Sequence, residues 1–111
     1  MDLKAEMRFA DIALKSAFDA LEKGDAQEKQ LHCSLVRAFN RIKHNVFCGA
    51  QVPKKLIPRE YLQKYRVDNL WKCNLPGAWR LLYSVEKEGI TVVAILLEWL
   101  NHKSYEKRFG Y

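Results

Sequence analysis

The segment Ile90–Leu100, ITVVAILLEWL, most constrains the fold because it is apolar on both of its alternating faces. Two apolar faces are typical of a central β-strand that is covered on both sides. The preceding apolar segment, AWRLLYSVE over residues 78–86, is separated from it by a short turn that ends at Gly89. Such a pair of segments predicts an antiparallel β-hairpin. In regular alternation, Trp99 would share a face with Leu97.

The first predicted helix precedes this sheet and has two possible starting points. Apolar residues recur every three or four positions, and Gly24 then ends the pattern as a helix-terminating residue. Alternatively, Asp11 caps a shorter helix, and Lys4–Phe9 form an edge strand. The apolar positions of the longer helix are Leu3, Met7, Ala10, Leu14, Phe18 and Leu21.

A second helix is predicted over Ala26–Val46. Asp25 is its N-cap, and Glu28, three residues later, completes a capping box. Two amphipathic helices joined by a short turn form an antiparallel helical hairpin, and their apolar faces require a surface to pack on. The sheet that follows in the chain is that surface.

The chain between the helices and the β-hairpin contains Pro53 and Pro58, which exclude one continuous helix. Pro58 begins a short helix, and Asn69–Leu75 is a further strand that a proline–glycine turn joins to the hairpin. The prediction is therefore one α+β domain over residues 1–111. An N-terminal antiparallel helical hairpin packs on a small antiparallel β-sheet, a meander of three or four strands, and a basic C-terminal tail follows.

The net charge of +6 favours a polyanionic partner, such as nucleic acid, an acidic protein or an anionic surface. The excess is concentrated in two segments. Residues 51–66 contain five basic residues and one acidic residue, and residues 100–111 contain three basic residues and one acidic residue. Both segments flank the predicted hairpin, so a polyanion would approach it from either side.

The cysteines argue for a reducing environment. They are odd in number and form no CxxC motif, which disfavours a disulfide framework and a zinc site. The expected localisation is therefore the cytoplasm. No membrane-spanning segment is expected, because the longest apolar run is too short. No metal or cofactor is expected, because no phosphate-binding glycine loop or paired-carboxylate motif is present. The cysteines are Cys33, Cys48 and Cys73.

One cation, Arg80, stands within the apolar hairpin and is the principal candidate for binding a phosphate. It shares a strand face with Leu82 and Ser84, opposite the face that is expected to meet the helices. A planar guanidinium can hold a phosphate through two hydrogen bonds while negative charge develops on it. The alternative is a structural arginine that pairs with Glu98 or Glu86.

His102 and Tyr105 directly follow the last strand and would share a face in a helical turn, because they are three residues apart. Histidine can accept or donate a proton near neutral pH, and a tyrosine can transfer a proton or stack on a base. Further basic residues are predicted to contact nucleic acid, with a solvated surface as the alternative. They are Lys54, Lys55, Lys72, Lys103, Lys107 and Arg108.

Three motifs in the second half of the chain carry a resemblance to a known family. They are NLWKCNLPGAWRLLYSV, ITVVAILLEWL and NHKSYEKRFGY. Their order after two helices and a basic loop resembles the RelE/ParE superfamily of toxins from prokaryotic toxin–antitoxin pairs. The likeness covers residues 49–111, and the helical half is similar in layout. It implies a small basic toxin that is neutralised by a partly disordered, amphipathic and acidic antitoxin.

The resemblance also implies a reaction. Many members of the family cleave mRNA at the ribosome without a metal ion, and the RNA 2′-hydroxyl attacks the adjacent phosphate. By position in the motifs, Arg80 would hold the phosphate, Tyr105 would be acid, base or stacking ring, and His102 would be an alternative proton carrier. Lys54 and Lys55 match basic residues that some members have before the sheet.

Two alternatives to the nuclease remain open. The ParE branch of the superfamily acts on DNA gyrase, so the chain could be a gyrase inhibitor without nuclease activity. It could also be a basic binding module that is not toxic. The N-terminal strand that is usual in the family is not evident in this sequence.

Overall fold

A computed structural model describes residues 5–110 of the chain. Leu3 and Lys4 of the predicted N-terminal elements, and Tyr111, lie outside the described residues. Within them, five strands and four α-helices form an α+β structure, which confirms the predicted class. In chain order the elements are β1 (Glu6–Phe9), α1 (Ile12–Leu21), α2 (Ala26–His44), β2 (Ala50–Gln51), α3 (Arg59–Lys64), β3 (Trp71–Leu75), β4 (Trp79–Glu88), β5 (Thr91–Leu100) and α4 (His102–Phe109), with 3₁₀ turns at Lys54–Leu56 and Pro76–Ala78.

The strands form one mixed sheet in the order β1-β5-β4-β3-β2. A two-residue turn joins β4 to β5, and Gly89 at its first position has a φ of 65°, so the predicted hairpin is confirmed. β1, however, pairs in parallel with β5, from Glu6 opposite Val93 to Phe9 opposite Leu96. The prediction of a purely antiparallel meander is therefore wrong. The chain between these two strands is long enough for a crossover, which parallel pairing requires.

α1 begins after Asp11, whose carboxylate accepts a hydrogen bond from the Leu14 N–H at 2.8 Å. The shorter helix preceded by an edge strand is therefore the alternative that the structure contains. Met7 and Phe9 on β1 pack against the same core as the side chains of α1. The apparent helical repeat thus arose from a strand and a helix that follow one another and bury residues in one core.

α2 has the predicted capping box. The Asp25 carboxylate accepts from the Glu28 N–H at 2.9 Å, and the Glu28 carboxylate accepts from the Asp25 N–H at 3.2 Å. Leu35, Ala38 and Ile42 on this helix are fully buried. They anchor the helical hairpin on the sheet, because burial of apolar side chains is the main force that holds such layers together.

The sheet is covered on both faces, as the two apolar faces of Ile90–Leu100 predicted. The first face carries α1 and α2, and its core includes Leu81 and Tyr83. The second face carries residues 52–70 and α4, and its core includes Tyr61 and Leu82. The basic tail is therefore a helix that packs on the sheet. Among residues 5–110, no helix has the length and apolar character needed to span a bilayer.

A bulge in β5 changes which side chains reach each face. The pairs on either side of it are Leu82 with Glu98 and Tyr83 with Leu96. Leu97 is the extra residue, and the alternation shifts after it. Leu97 packs in the second-face core, Glu98 faces the same side, and Trp99 packs in the first-face core. The prediction that Trp99 and Leu97 share a face is wrong, because strict alternation takes no account of an inserted residue.

Candidate functional site

Arg80 is half-buried on the second face, as predicted for a cation opposite the helical hairpin. Its Nη1 donates a hydrogen bond to the Trp79 carbonyl at 3.2 Å, and its guanidinium carbon lies 5.4 Å from the centre of the Tyr105 ring. Among residues 5–110, no carboxylate forms an ion pair with Arg80. The alternative of a structural pairing with Glu98 or Glu86 is therefore not observed in this part of the chain.

Tyr105 on α4 contacts two cations, Lys72 and Arg80. Lys72 Nζ donates a hydrogen bond to Tyr105 Oη at 3.1 Å and lies 5.4 Å from the ring centre, the same distance as the guanidinium of Arg80. The Phe109 ring stacks on the Tyr105 ring with 4.5 Å between the centroids. The hydrogen bond holds Lys72 at the phenol oxygen, and the ring attracts the guanidinium of Arg80. We call Lys72, Arg80 and Tyr105 the cation–phenol cluster.

The strand register and one helix cap bring this cluster together. Lys72 on β3 lies opposite Leu82, whose side chain is in the second-face core, and Arg80 is two residues before Leu82 on β4. Both cations therefore project from the second face. α4 begins directly after β5, where the Asn101 side chain accepts a hydrogen bond from the Ser104 N–H at 2.8 Å. The helix returns over the sheet and brings the tyrosine onto both cations.

Arg108 has a different environment from Arg80. Its Nη1 lies 2.6 Å from Glu98 Oε2, its Nε lies 3.4 Å from Glu60 Oε2, and its guanidinium lies over the Tyr61 ring at 5.7 Å. Burial opposes the charge, but Glu98, Tyr61 and Glu60 outweigh it, and the pKa of Arg108 is raised. Arg108 thus anchors α4 through two carboxylates, and its predicted contact with nucleic acid stays a prediction.

Glu98 and Tyr61 lie in the same environment as Arg108. Glu98, a possible general base in the sequence, faces the second face, but Arg108 binds its carboxylate. Burial and the nearby Glu98 raise the pKa of Tyr61 well above its ordinary value. Its hydroxyl is buried beside the Glu98 carboxylate and the Arg108 guanidinium. A hydroxyl held neutral in this way is part of the packing beneath α4.

Replacing Arg108 by alanine is expected to lower the free energy of unfolding by about 2 kcal/mol, because it leaves Glu98 without its charged partner. The side chains of Arg108 and Glu98 are 33% and 18% exposed, so the loss should fall below that of a fully buried pair. Denaturant unfolding measures it. Lys107→Ala, one residue away and exposed, is the control. Equal stabilities of the two variants would contradict the anchoring role.

The other predicted residues lie outside the cation–phenol cluster. His102 is exposed at the start of α4, and its Nε2 lies 2.6 Å from Glu106 Oε1. Lys103 and Lys107 are exposed on the same helix. Lys54 and Lys55 are exposed on a 3₁₀ turn. Within residues 5–110, no hydrogen bond or ion pair joins any of these to the cluster, so the structure brings together Arg80, Tyr105 and Lys72 from the predicted set.

The part that sequence reasoning missed is the role of Lys72 beside the tyrosine. A signal was available, because the strand before the hairpin has polar residues at alternate positions, Lys72 and Asn74, and Arg80 follows on the next strand.

No group of three or more His, Cys, Asp and Glu side chains able to hold a metal ion occurs between residues 5 and 110. Comparisons with protein-family models, curated proteins and solved structures found no match to this chain.

Proposed function

We propose that this chain is the toxin of a toxin–antitoxin pair, a metal-independent, ribosome-associated endoribonuclease that cleaves mRNA. The observation that carries the proposal is the cation–phenol cluster, in which Lys72 and Arg80 both contact Tyr105 and neither cation forms an ion pair with a carboxylate among residues 5–110. The motifs that resemble the RelE/ParE superfamily, and β1 as an N-terminal strand of the kind usual there, support a fold of that type. The net charge of +6 supports a polyanionic substrate.

The proposed reaction needs a phosphate site with positive charge. The RNA 2′-oxygen loses its proton and bonds to the adjacent phosphorus, and the bond from phosphorus to the 5′-oxygen breaks as that oxygen gains a proton. The products are a 2′,3′-cyclic phosphate and a 5′-hydroxyl. Arg80 binds the non-bridging oxygens as their negative charge grows, and Lys72 adds a second positive charge beside it.

Two groups on α4 are proposed to move the protons. His102 is exposed, and the Glu106 carboxylate at 2.6 Å orients its ring. We therefore propose that His102 accepts the proton of the RNA 2′-hydroxyl. Tyr105 is only 5% exposed, which disfavours stacking of its ring on a base. Its hydroxyl, hydrogen-bonded to Lys72, is therefore assigned to protonate the leaving 5′-oxygen. RNA binding would bring His102 and the cluster to the same phosphate.

The exposed lysines are proposed to guide RNA to this site rather than to take part in the chemistry. Lys103 and Lys107 lie on α4 beside the cluster, and Lys54 and Lys55 lie on the 3₁₀ turn. The electrostatic attraction between such lysines and the RNA phosphates acts over a distance, and it weakens as the salt concentration rises. An amphipathic, acidic antitoxin would neutralise the toxin by competing for the same positive surface.

The experiment that tests the proposal is induced expression followed by mapping of RNA 5′ ends. We expect growth arrest together with new mRNA ends that carry a 5′-hydroxyl, and such ends enter a ligation-based library only after phosphorylation. Expression of Arg80→Ala should give neither effect. New ends that carry a 5′-phosphate would contradict attack by the 2′-hydroxyl.

Two other outcomes identify the alternative functions. Growth arrest with DNA damage and unchanged mRNA would replace the nuclease by a gyrase inhibitor. Normal growth at a confirmed level of folded protein would favour a basic binding module that is not toxic.

A further inference from the structure

Two of the three cysteines line the same small cavity beside β3, and Lys72 of the cation–phenol cluster also contributes to its lining. The cavity has a volume of about 360 Å³, and Cys48 and Cys73 both contribute to its wall. Cys48 is exposed in the loop after α2, and Cys73 on β3 is 7% exposed in the first-face core. Cys33, also exposed, lines a different cavity beside the helical hairpin. The chain therefore offers one pair of neighbouring thiols and one isolated thiol.

The backbone around Gly49 brings the pair close together. β2 pairs with β3 through Ala50 opposite Lys72, so the next position in this register puts Gly49 opposite Cys73. A Cβ atom at Gly49 would lie 2.6 Å from the Lys72 carbonyl oxygen, so the chain packs tightly on β3 at this point. Cys48 directly precedes Gly49, so it lies one residue along the chain from the position opposite Cys73 and lines the same cavity.

The hydroxyl of Tyr83 gives a second measure of this proximity. It accepts a hydrogen bond from the Gly49 N–H at 3.1 Å and donates one to the Val46 carbonyl at 2.8 Å. Burial raises the pKa of Tyr83, and the thiols of Cys48 and Cys73 both raise it further. Both thiols therefore act electrostatically on the same buried oxygen of the first face.

The environments of the two thiols suit different steps of an oxidation. Cys48 is open to solvent, so an oxidant can reach it. Burial raises the pKa of the Cys73 thiol, and Arg41, whose Nη2 donates a hydrogen bond to Cys73 Sγ at 3.4 Å, acts against that effect. A cation beside a buried thiol favours its thiolate at the moment when it attacks a neighbouring sulfur.

We infer that Cys48 and Cys73 form a redox-active dithiol that hydroperoxides oxidise to an intramolecular disulfide. The Cys48 thiolate attacks the peroxide, the O–O bond breaks, and an alcohol or water leaves as the sulfur becomes a sulfenic acid. The Cys73 thiolate then attacks that sulfur, the S–O bond breaks, and water leaves once the released hydroxide gains a proton. The peroxide is reduced by two electrons, and the dithiol is oxidised by two. A thiol reductant restores the pair. This inference does not depend on the proposed nuclease activity.

The test treats the reduced full-length chain with hydrogen peroxide, blocks remaining thiols with an alkylating reagent, and maps them by mass spectrometry. Before alkylation we expect a monomer about 2 Da lighter than the reduced chain, and after digestion a peptide linking Cys48 to Cys73. Cys33 should remain a thiol that the reagent alkylates. The rate of oxidation of the Cys33 thiol should be at least ~10-fold lower than that of the Cys48 thiol. Dithiothreitol should restore all three thiols.

Two matched variants complete the test. Cys33→Ser should form the same disulfide at an unaltered rate, whereas Cys48→Ser should form none and should keep Cys73 reduced. Both positions are exposed, so neither substitution disturbs the core. The inference is overturned if Cys48 and Cys33 oxidise at equal rates. It is also overturned if the wild-type chain accumulates sulfinic acid at Cys48 without a link to Cys73.

Discussion

Replacing Arg80 by alanine is expected to lower the rate of RNA cleavage about 10²–10³-fold, because the phosphate loses a preorganised pair of donors as its charge grows. The free energy of unfolding should change by no more than about 1 kcal/mol, the scale of one cation–ring contact. No carboxylate within residues 5–110 is left unpaired by the change. Single-turnover cleavage and denaturant unfolding measure the two quantities on the same preparation.

Two further variants separate charge from geometry at this position. Arg80→Lys keeps the positive charge but lacks the planar fork, so its rate should fall between those of the wild-type and alanine variants. Arg59→Ala removes an exposed arginine of α3 and should leave the rate unchanged. A folded Arg80→Ala variant that cleaves RNA at the wild-type rate would remove Arg80 from the proposed site.

The comparison of Arg80 with Arg108 explains why sequence reasoning assigned similar roles to residues whose environments differ. Both arginines lie on the second face in a basic context. Arg108 differs from Arg80 because it pairs with Glu98 of β5 and Glu60 of α3. Neither carboxylate is a neighbour of either arginine in the sequence. Which carboxylate reaches which guanidinium is a property of the packing, and a linear charge pattern carries no information on it.

Local signals predicted the elements that local interactions stabilise. The glycine turn of the β-hairpin and the Asp25–Glu28 capping box each involve a few consecutive residues, and both are observed. The parallel pairing of β1 with β5 joins residues more than eighty positions apart, so no local pattern indicates it. The N-terminal apolar repeat fitted a helix equally well, because Met7 and Phe9 face the same core as α1.

The bulge at Leu97 shows how a single inserted residue alters a prediction about side-chain orientation. Residues before it follow the alternation read from the sequence, whereas Glu98 and Trp99 after it have exchanged faces. This exchange brings Glu98 to Arg108 and so fixes α4 on the sheet. The contact between Tyr105 and Arg80 therefore depends in part on a feature that alternation alone does not contain.

Replacing Tyr105 by phenylalanine is expected to lower the cleavage rate about 10²–10⁴-fold, the usual contribution of a positioned proton donor. The ring remains, so its contacts with Arg80 and Phe109 are kept, and the hydrogen bond from Lys72 is lost. RNA affinity should change by less than ~10-fold, because both cations stay in the site. Single-turnover rates and equilibrium RNA binding, measured at one salt concentration, separate the two effects.

The matched variant for this prediction is Lys72→Met, which removes the donor to the phenol oxygen and one charge but leaves the tyrosine hydroxyl. If Tyr105 donates the proton, Tyr105→Phe should lower the cleavage rate by a larger factor than it lowers the RNA affinity. Lys72→Met should lower both the cleavage rate and the RNA affinity. If the Tyr105→Phe variant cleaves RNA at the wild-type rate, the hydroxyl takes no part in the reaction and the ring only contacts the two cations. His102 would then be the single proton carrier left on α4, and His102→Gln should abolish the remaining activity, because no other group assigned to proton transfer would be present.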